Sequence, residues 1–152
     1  MPPQTSRKVI YDTNIYIGAI RGGVHSSEFD LLRRSFPFTY LSSVVSAELH
    51  AGAIDSLALR LTAPFVLLSE RVGRIVTPSH RSWNEAGQLL ARIWKEEPQF
   101  RSKTATLYND ALIVLSAVQI GAVVCTEDKE DFELLRRYRR FELELFADET
   151  AR

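Results

Sequence analysis

Hydrophobic residues along the chain occur in two alternating patterns, short β-prone runs and longer stretches with a helical period. The short runs cover residues 8–11, 38–41, 74–77, 122–126 and 141–146. A helix is expected directly after the first run, and further helical stretches cover residues 27–35, 42–68, 83–94, 107–119 and 128–138. Strands that alternate with helices predict an α/β domain with a mostly parallel central sheet and right-handed crossovers.

Capping and turn-forming residues predict where individual helices begin and end. Pro64 is expected to interrupt the stretch 42–68, which therefore forms two helices or one broken helix. Thr106 is the predicted N-cap of the helix 107–119, and Gly121 is predicted to end it. With this cap, Asp110 falls in the first turn of the helix.

Length and composition fit one domain that spans residues 1–152, because 45% of the residues are hydrophobic and can build a continuous core. Residues 1–7 are polar with two prolines, and we expect a flexible N-terminal segment. No apolar run approaches the roughly 18 residues of a membrane span, so a soluble, cytoplasmic protein is expected. Cys125 lies in an apolar run and is expected to be a small buried hydrophobe.

The 19 basic and 19 acidic residues balance, so a polyanion has to be met by a local patch. One basic cluster lies near the last helix and consists of Arg136, Arg137, Arg139 and Arg140. It can contact RNA or an acidic partner, or it can be a solvated helix end that the helix dipole favours. Trp83 and Trp94 can stack bases, but tryptophans on an apolar helical face are more often core or dimer contacts.

Three aspartates are expected to meet at one edge of the sheet. Asp12 follows the first strand, and Asp128 follows the strand 122–126, so both lie at the carboxyl ends of parallel strands. Asp110 is near the beginning of the helix that leads into the strand 122–126, and a crossover helix begins at that same edge. The three carboxylates should therefore converge.

Glu48 adds a fourth carboxylate, from the middle of a helix whose surrounding face is apolar. A buried charge of this kind needs a partner, and a metal ion would serve. Crowded carboxylates repel one another unless protons or cations compensate them. The three histidines, His25, His50 and His80, are scattered without ligand spacing, so oxygen ligands favour Mg²⁺ or Mn²⁺. Such ions promote phosphodiester hydrolysis.

Each acid also has an ordinary structural interpretation. An Asp at a helix start is often only a cap or a partner of the helix dipole, which applies to Asp12, Asp110 and Asp128. A mid-helix Glu such as Glu48 is most often solvated. Four separate explanations of this kind would have to place acids on one edge by coincidence, which favours a common site.

Four segments resemble the motifs of the PIN-domain family, in order and in spacing. They are Val-Ile-Tyr-Asp-Thr-Asn at 9–14, Ser-Ala-Glu-Leu at 46–49, Asn-Asp-Ala-Leu-Ile at 109–113 and Val-Cys-Thr-Glu-Asp at 124–128 with Asp131-Phe132. The resemblance covers nearly the whole chain. It implies a three-layer α/β/α fold and a Mg²⁺- or Mn²⁺-dependent endoribonuclease.

By this resemblance, Asp12 and Asp110 would be the principal metal ligands, and Asp128 would complete the coordination directly or through water. Glu48 would hold a second ion or orient the attacking water. The supporting residues would be Thr13, Asn14, Thr126 and Asp131. Family members of this length are commonly VapC-type toxins that dimerise, are inhibited by a VapB-like antitoxin and cut RNA. Glu127 stands where relatives often have a basic or polar residue.

Two other α/β classes, dehalogenase-like phosphatases and receiver domains, also have an Asp after the first strand. A dehalogenase-like phosphatase usually has a second Asp two residues after the first, where this chain has Asn14. A receiver domain needs a pair of acids before its central Asp, and that pair is missing. A free-standing PIN nuclease in RNA processing, or a catalytically silent RNA-binding or scaffold module of the same fold, stays open as an alternative.

Overall fold

The computed structural model describes residues 7–147, which form a five-stranded sheet. The strands are β1 (Val9–Tyr11), β2 (Thr39–Ser42), β3 (Ile75–Val76), β4 (Val123–Thr126) and β5 (Leu143–Leu145). Their order is β3-β2-β1-β4-β5, and every neighbouring pair is parallel. The predicted parallel sheet is confirmed. Of the segment 1–7 predicted to be flexible, all but Arg7 lies outside the described residues.

Within residues 7–147, seven α-helices accompany the sheet. They are α1 (Thr13–Gly22), α2 (Ser27–Ser35), α3 (Ser43–Gly52), α4 (Ser56–Arg71), α5 (His80–Glu96), α6 (Thr104–Ile120) and α7 (Lys129–Tyr138). Contacts link α1 with α2 and α3, and α3 with α4, whereas α5, α6 and α7 contact one another. Right-handed crossovers put these two groups on opposite faces of the sheet, which gives the three-layer α/β/α fold.

Side chains cap most helices at the position where the preceding strand or loop ends. Ser26 caps α2, Ser42 caps α3 and Ser79 caps α5, each by accepting a backbone N–H of the first turn. Helix α6 ends at Gly121, whose φ of 69° is left-handed and is readily adopted by glycine. The predicted end of that helix is therefore confirmed.

The prediction of Thr106 as the N-cap of α6 is wrong. The helix begins at Thr104, directly after a 3₁₀ turn, Pro98–Lys103, and no side chain caps it. Because the 3₁₀ turn already directs the chain into the helix, a capping side chain is not required to start it. Asp110 consequently lies in the second turn of α6 and not in the first.

The prediction that Pro64 interrupts a helix is also wrong. Helix α4 continues through Pro64, and the chain breaks earlier, between α3 and α4. Proline removes the N–H that would bind the carbonyl of Arg60. Both Pro64 and Arg60 are exposed, so water can satisfy that carbonyl, while Thr62 and Val66 hold the opposite face in the protein.

The core is continuous from the central strands into α6. Ile10 of β1, Leu41 of β2 and Val124 of β4 are fully buried, and so is Ile113 of α6. Cys125 is buried as predicted. Because α6 is enclosed on all sides from Ala111 to Ala117, its position and that of Asp110 are fixed by packing. Within residues 7–147, no helix combines the length and the apolar character that crossing a membrane requires.

Helix α5 differs in one respect from the sequence prediction of a single buried face. Ala86, Leu90 and Ile93 are completely buried, as the spacing predicts. Trp83, in the first turn of α5, is 53% exposed although its neighbour Ser82 is buried, so the predicted buried face does not include Trp83. Trp94 is half-buried against the core. The tryptophans therefore do not share one environment.

Gly18 on α1 packs closely against the buried side chain of Glu28 on α2, so an added Cβ should destabilise the protein moderately. A Cβ at Gly18 would lie 2.7 Å from the Cγ and 2.8 Å from the Cδ of Glu28. Helix propensity favours alanine by about 1 kcal/mol, but the contact should outweigh it, so we expect Gly18→Ala to cost about 1 kcal/mol net. Urea unfolding measures this change.

A matched control is Gly52→Ala in α3, where the added Cβ meets no atom within 4 Å. That variant should be neutral or stabilised by a few tenths of a kcal/mol. A second variant, Gly18→Ala with Glu28→Ala, should recover the loss. If Gly18→Ala is as stable as Gly52→Ala, close packing of Gly18 against Glu28 does not limit this position.

Candidate functional site

Asp12 lies between β1 and α1, where its carboxylate is held by two short hydrogen bonds. Its Oδ1 accepts the backbone N–H of Thr13 at 2.7 Å, and its Oδ2 accepts the hydroxyl of Thr126 at 2.7 Å. The residue is 6% exposed. Asp12 is therefore the N-cap of α1, which is the ordinary structural role of an Asp at a helix start. The same contacts also aim its carboxylate at the end of β4.

The hydroxyl of Thr126 connects the ends of β1 and β4, which are neighbours in the sheet. Besides donating to Asp12, it accepts the backbone N–H of Asp128 at 2.9 Å and the Nδ2 of Asn14 at 3.3 Å. The Oδ1 of Asn14 in turn accepts the N–H of Glu127 at 3.4 Å. Thr126 and Asn14 thus hold the loop that carries Asp128 close to Asp12.

Asp110 projects from the second turn of α6 and is 7% exposed. Its Oδ2 is buried and has no hydrogen-bond partner within the part of the chain that the structure describes. One carboxylate oxygen each from Asp110, Asp128 and Asp131 lies within 4.8 Å of the other two. We call these three residues the acidic group. A buried, unpaired carboxylate oxygen is costly, so the position of Asp110 calls for a ligand.

Asp131 lies in the first turn of α7, and two contacts fix it. Its backbone N–H donates to Oδ1 of Asp128 at 3.2 Å, which makes Asp128 the N-cap of α7. Its carboxylate accepts the ammonium of Lys103 at 3.0 Å. That hydrogen bond, together with the charge of Asp131, raises the pKa of Lys103, so the lysine keeps its positive charge beside the acidic group.

Glu48 reaches the site from α3 and finds protein partners there. Its Oε1 accepts the hydroxyl of Thr13 at 2.8 Å, and its Oε2 lies 3.4 Å from Nδ2 of Asn109. A half-buried carboxylate requires partners, and the side chains of Thr13 and Asn109 provide them. Because they come from α1 and α6, Glu48 is held between the two faces of the domain.

Burial makes Asp12 and Asp110 weaker acids than an ordinary aspartate. It raises the pKa of Asp12 from 3.8 to about 6, although the bonds from Thr126 and Thr13 oppose the shift. Burial also raises the pKa of Asp110 to about 9, and the negative charges of Asp12, Asp131, Asp128 and Glu48 add to the effect. Asp110 therefore holds a proton at neutral pH unless a cation takes its place.

The residues present fit a hard divalent cation. The ligand atoms available are carboxylate oxygens, and the unpaired Oδ2 of Asp110 is the type of atom that such a cation would bind. A cation would also relieve the mutual repulsion of the acids. The acidic group contains two of the three aspartates expected to converge, Asp110 and Asp128, with Asp131 in the place expected for Asp12.

The model of one protein family, described as the PIN domain, matches residues 9–139 of the sequence. The chain belongs to the PIN-domain family. Among curated proteins, none matches the sequence significantly. The family is one of nucleases, which supports a hydrolase that cleaves phosphodiester bonds.

Solved structures with the same fold include three complexes. VapBC2 from Rickettsia felis, bound to a DNA fragment from its promoter, gives a TM-score of 0.64 at 20% identity over 91% of this chain and 98% of that one. DNA-bound VapBC from Salmonella typhimurium gives 0.63 at 22% identity over 93% and 99%. FitAcB from Neisseria gonorrhoeae gives 0.64 at 19% identity over 89% and 95%. At these identities the likeness concerns the fold.

Sequence reasoning missed two neighbours of the acids in this PIN domain. Lys103 contacts Asp131 across 28 residues of sequence, and Asn109 contacts Glu48 across 61. Asn109 stands next to Asp110, which was the one available signal for it. Lys103 belongs to a 3₁₀ turn whose direction the sequence pattern does not fix.

The arginine cluster is largely used inside the PIN domain. Arg137 binds both carboxylate oxygens of Glu97, at 3.0 and 3.1 Å, and Arg139 binds Glu85 at 2.6 Å. Arg136 lies 4.0 Å from Glu133. These pairs favour the interpretation of a helix end joined to α5 over that of a free basic surface.

Proposed function

We propose that this PIN domain is a Mg²⁺- or Mn²⁺-dependent endoribonuclease whose site consists of Asp12, Glu48, Asp110 and Asp128. The observation that carries the proposal is the buried, unpaired Oδ2 of Asp110 among carboxylates that repel one another. Without a cation, Asp110 has to keep a proton at neutral pH, and a divalent cation would replace that proton. The resemblance to the family motifs, and membership in a family of nucleases, support hydrolysis of RNA.

Asp110 and Asp128 would hold the cation, with Asp131 in the same acidic group and Asp12 facing it. When bound, Mg²⁺ or Mn²⁺ lowers the pKa of coordinated water and stabilises negative charge at phosphorus. Asp12 cannot rotate freely, because Thr13 and Thr126 fix both of its oxygens. This preorganisation keeps its carboxylate directed at the substrate's position without reorganisation.

Glu48 would orient the attacking water or support a second ion, as the resemblance implies. The hydroxyl of Thr13 and the amide of Asn109 hold its two oxygens, so its carboxylate remains beside that of Asp12. Its position is half-buried, which leaves it accessible from solvent. Glu48 can thus accept a proton from a water molecule that enters the site.

The same proposal includes a biological setting. We infer a VapC-type toxin that works in the cytoplasm as a homodimer and that a VapB-like antitoxin inhibits. The support is the resemblance of the four motifs and the match of fold to complexes named VapBC and FitAcB, which this chain matches over most of its length. The free-standing nuclease and the silent binding module are the alternatives.

Cleavage of a mixed tRNA and ribosomal RNA substrate tests the activity. We expect the purified wild-type protein to cut RNA with Mg²⁺ or Mn²⁺ and to stop when a chelator is added. Asp12→Asn should lose about ten- to a hundredfold in rate, since it removes a fixed carboxylate beside the residues that would hold the cation. Glu130→Gln, which removes an exposed acid of the first turn of α7, is the matched control and should keep its rate.

The outcome also decides between the alternatives. If a folded wild-type protein binds RNA and leaves it intact with either ion, the binding module replaces the nuclease. Equal activity of Asp12→Asn and Glu130→Gln would place hydrolysis elsewhere in the chain. Co-expression with the protein encoded next to it, where one exists, tests the antitoxin separately from the nuclease activity.

A further inference from the structure

Lys103 makes an ion pair with the acidic group, and the proposed mechanism gives this lysine no role. Its ammonium lies 3.0 Å from Oδ1 of Asp131. The two side chains differ in environment, since that of Asp131 is 5% exposed and that of Lys103 is 42% exposed. The pair therefore connects a buried carboxylate of the group with a lysine that solvent can reach.

We propose that Lys103 is a positioning residue and a resident countercharge of the acidic group, and that its ion pair with Asp131 lowers the affinity of the group for a divalent cation. This inference rests on the proposed function only in treating Asp110, Asp128 and Asp131 as a cation site. It adds a residue that regulates how tightly the cation is held.

The place of Lys103 in the fold supports this role. It is the last residue of the 3₁₀ turn before α6, and α6 carries Asp110. The turn packs against α5 and α6, so the start of the lysine side chain is fixed while its end remains half-exposed. Lys103 can thus remain beside Asp131 or turn into solvent without moving a helix.

Electrostatics gives the direction of the effect. The negative charges of Asp131, Glu130 and Asp128 all act on Lys103, so its ammonium lies in the field that would attract a cation. A divalent ion in the group must either displace the ammonium from Asp131 or remain near it against repulsion. In both cases the lysine weakens binding of the ion, because like charges at short range oppose each other.

Without Lys103, a bound divalent ion should be the main positive charge that compensates the Asp131 carboxylate. Without Lys103, the buried carboxylate of Asp131 loses its hydrogen-bonded cation and adds a full charge beside Asp110 and Asp128. The ion-free protein then becomes less stable, and a divalent ion gains more by binding. A purely structural ion pair would give the loss of stability without the gain in affinity.

Calorimetric titration of the full chain with Mn²⁺, in the absence of RNA, tests the inference. We expect Lys103→Met to bind Mn²⁺ roughly three- to tenfold more tightly than the wild type, as removal of one nearby charge predicts. Lys103→Arg keeps the charge and should stay within about twofold. Lys129→Met, which removes an exposed lysine at the start of α7, is the matched control and should also stay within about twofold.

A second titration tests whether Lys103 acts through Asp131. Asp131→Asn should weaken Mn²⁺ binding, and Lys103→Met should have little further effect in that background, because interacting residues are not additive. An unchanged or weakened affinity in Lys103→Met overturns the inference, and so does an equal rise in Lys103→Arg. If Lys103→Met raises the Mn²⁺ affinity as much in the Asp131→Asn background as in the wild type, Lys103 does not act through Asp131. Lys103→Gln replaces the methionine variant should that one fail to fold.

The RNA assay and the Mn²⁺ titration fail independently. If wild type and Glu130→Gln cut RNA while Lys103→Met leaves the Mn²⁺ affinity unchanged, the nuclease stands and the inference is wrong. If RNA stays intact while Lys103→Met tightens Mn²⁺ binding, the inference stands and the nuclease is wrong. Absence of Mn²⁺ binding in both wild type and Lys103→Met overturns the inference whatever the RNA assay gives.

Discussion

Asp110→Asn is expected to abolish metal-dependent RNA cleavage while it makes the metal-free protein more stable. The loss of activity should be at least about a hundredfold, because mutation even of residues behind metal ligands costs ten- to a hundredfold. The gain in stability follows from the site. Asparagine is neutral, and its amide can donate hydrogen bonds to the neighbouring carboxylates, where Asp110 has an unpaired buried oxygen.

These opposite effects separate function from folding. Activity is measured by RNA cleavage with saturating Mn²⁺, and stability by urea unfolding in chelator. Glu130→Gln serves again as the control, because it removes an acid from the exposed side of α7 and should change neither quantity appreciably. A variant Asp110→Asn that is less stable than the wild type in chelator, or that cuts RNA normally, would contradict the assignment of Asp110 to the cation site.

Stability of the metal-free protein should decrease as the pH rises. The pKa of Asp12 is raised to about 6 and that of Asp110 to about 9, against an ordinary value of 3.8 for both. From about pH 4 upward the unfolded chain releases these two protons while the folded protein still holds them. Each such group costs about 1.4 kcal/mol of stability per pH unit until its folded pKa is reached.

For Asp12 the loss is complete above about pH 6, and for Asp110 it continues toward about pH 9. We therefore expect the free energy of unfolding in chelator to fall by at least about 2 kcal/mol between about pH 5 and about pH 8. Urea unfolding at the two pH values measures it. Asp110→Asn should flatten most of this dependence, and saturating Mn²⁺ should flatten it in the wild type, since the cation replaces the proton.

Comparison of the wild type with Asp110→Asn, and with the wild type in saturating Mn²⁺, separates the effect of Asp110 from that of other titrating groups. The three histidines remain in Asp110→Asn, so any pH dependence that they cause persists in that variant. If wild type and Asp110→Asn lose stability equally between the two pH values, the proton on Asp110 is not the cause. A wild type that becomes more stable with rising pH in chelator would contradict the raised pKa of both acids.

Much of the fold could be predicted because local chemistry and global topology agree. Helix α2 spans Ser27–Ser35 as expected, since its apolar spacing and the following Pro37 both mark the same end. Asp12 and Asp128 follow neighbouring parallel strands, β1 and β4, and the carboxyl ends of such strands share an edge, which is a property of topology and not of any single residue. The order of strands and helices along the chain was therefore sufficient to predict which edge of the sheet carries these acids.

The predictions that were wrong concern residues whose behaviour depends on tertiary contacts, which a local sequence pattern does not contain. Pro64 is tolerated because the carbonyl it leaves unpaired belongs to the exposed Arg60, and exposure is a tertiary property. Thr106 lost the role of cap because a 3₁₀ turn already directed the chain into α6. The pairing of Lys103 with Asp131 depends on how that turn lies against α7, which the spacing of residues does not determine.

Both outer strands of the sheet are very short, β3 with two residues and β5 with three. An exposed sheet edge offers unpaired backbone groups on which a strand of another molecule can add, and the hazard grows with the length of the edge. Within residues 7–147 the two edges offer few such groups, so a strand from another molecule could form only a few backbone hydrogen bonds with them. Assembly with other chains should therefore use helix surfaces, and crowding of newly made copies should not lead to edge-to-edge aggregation.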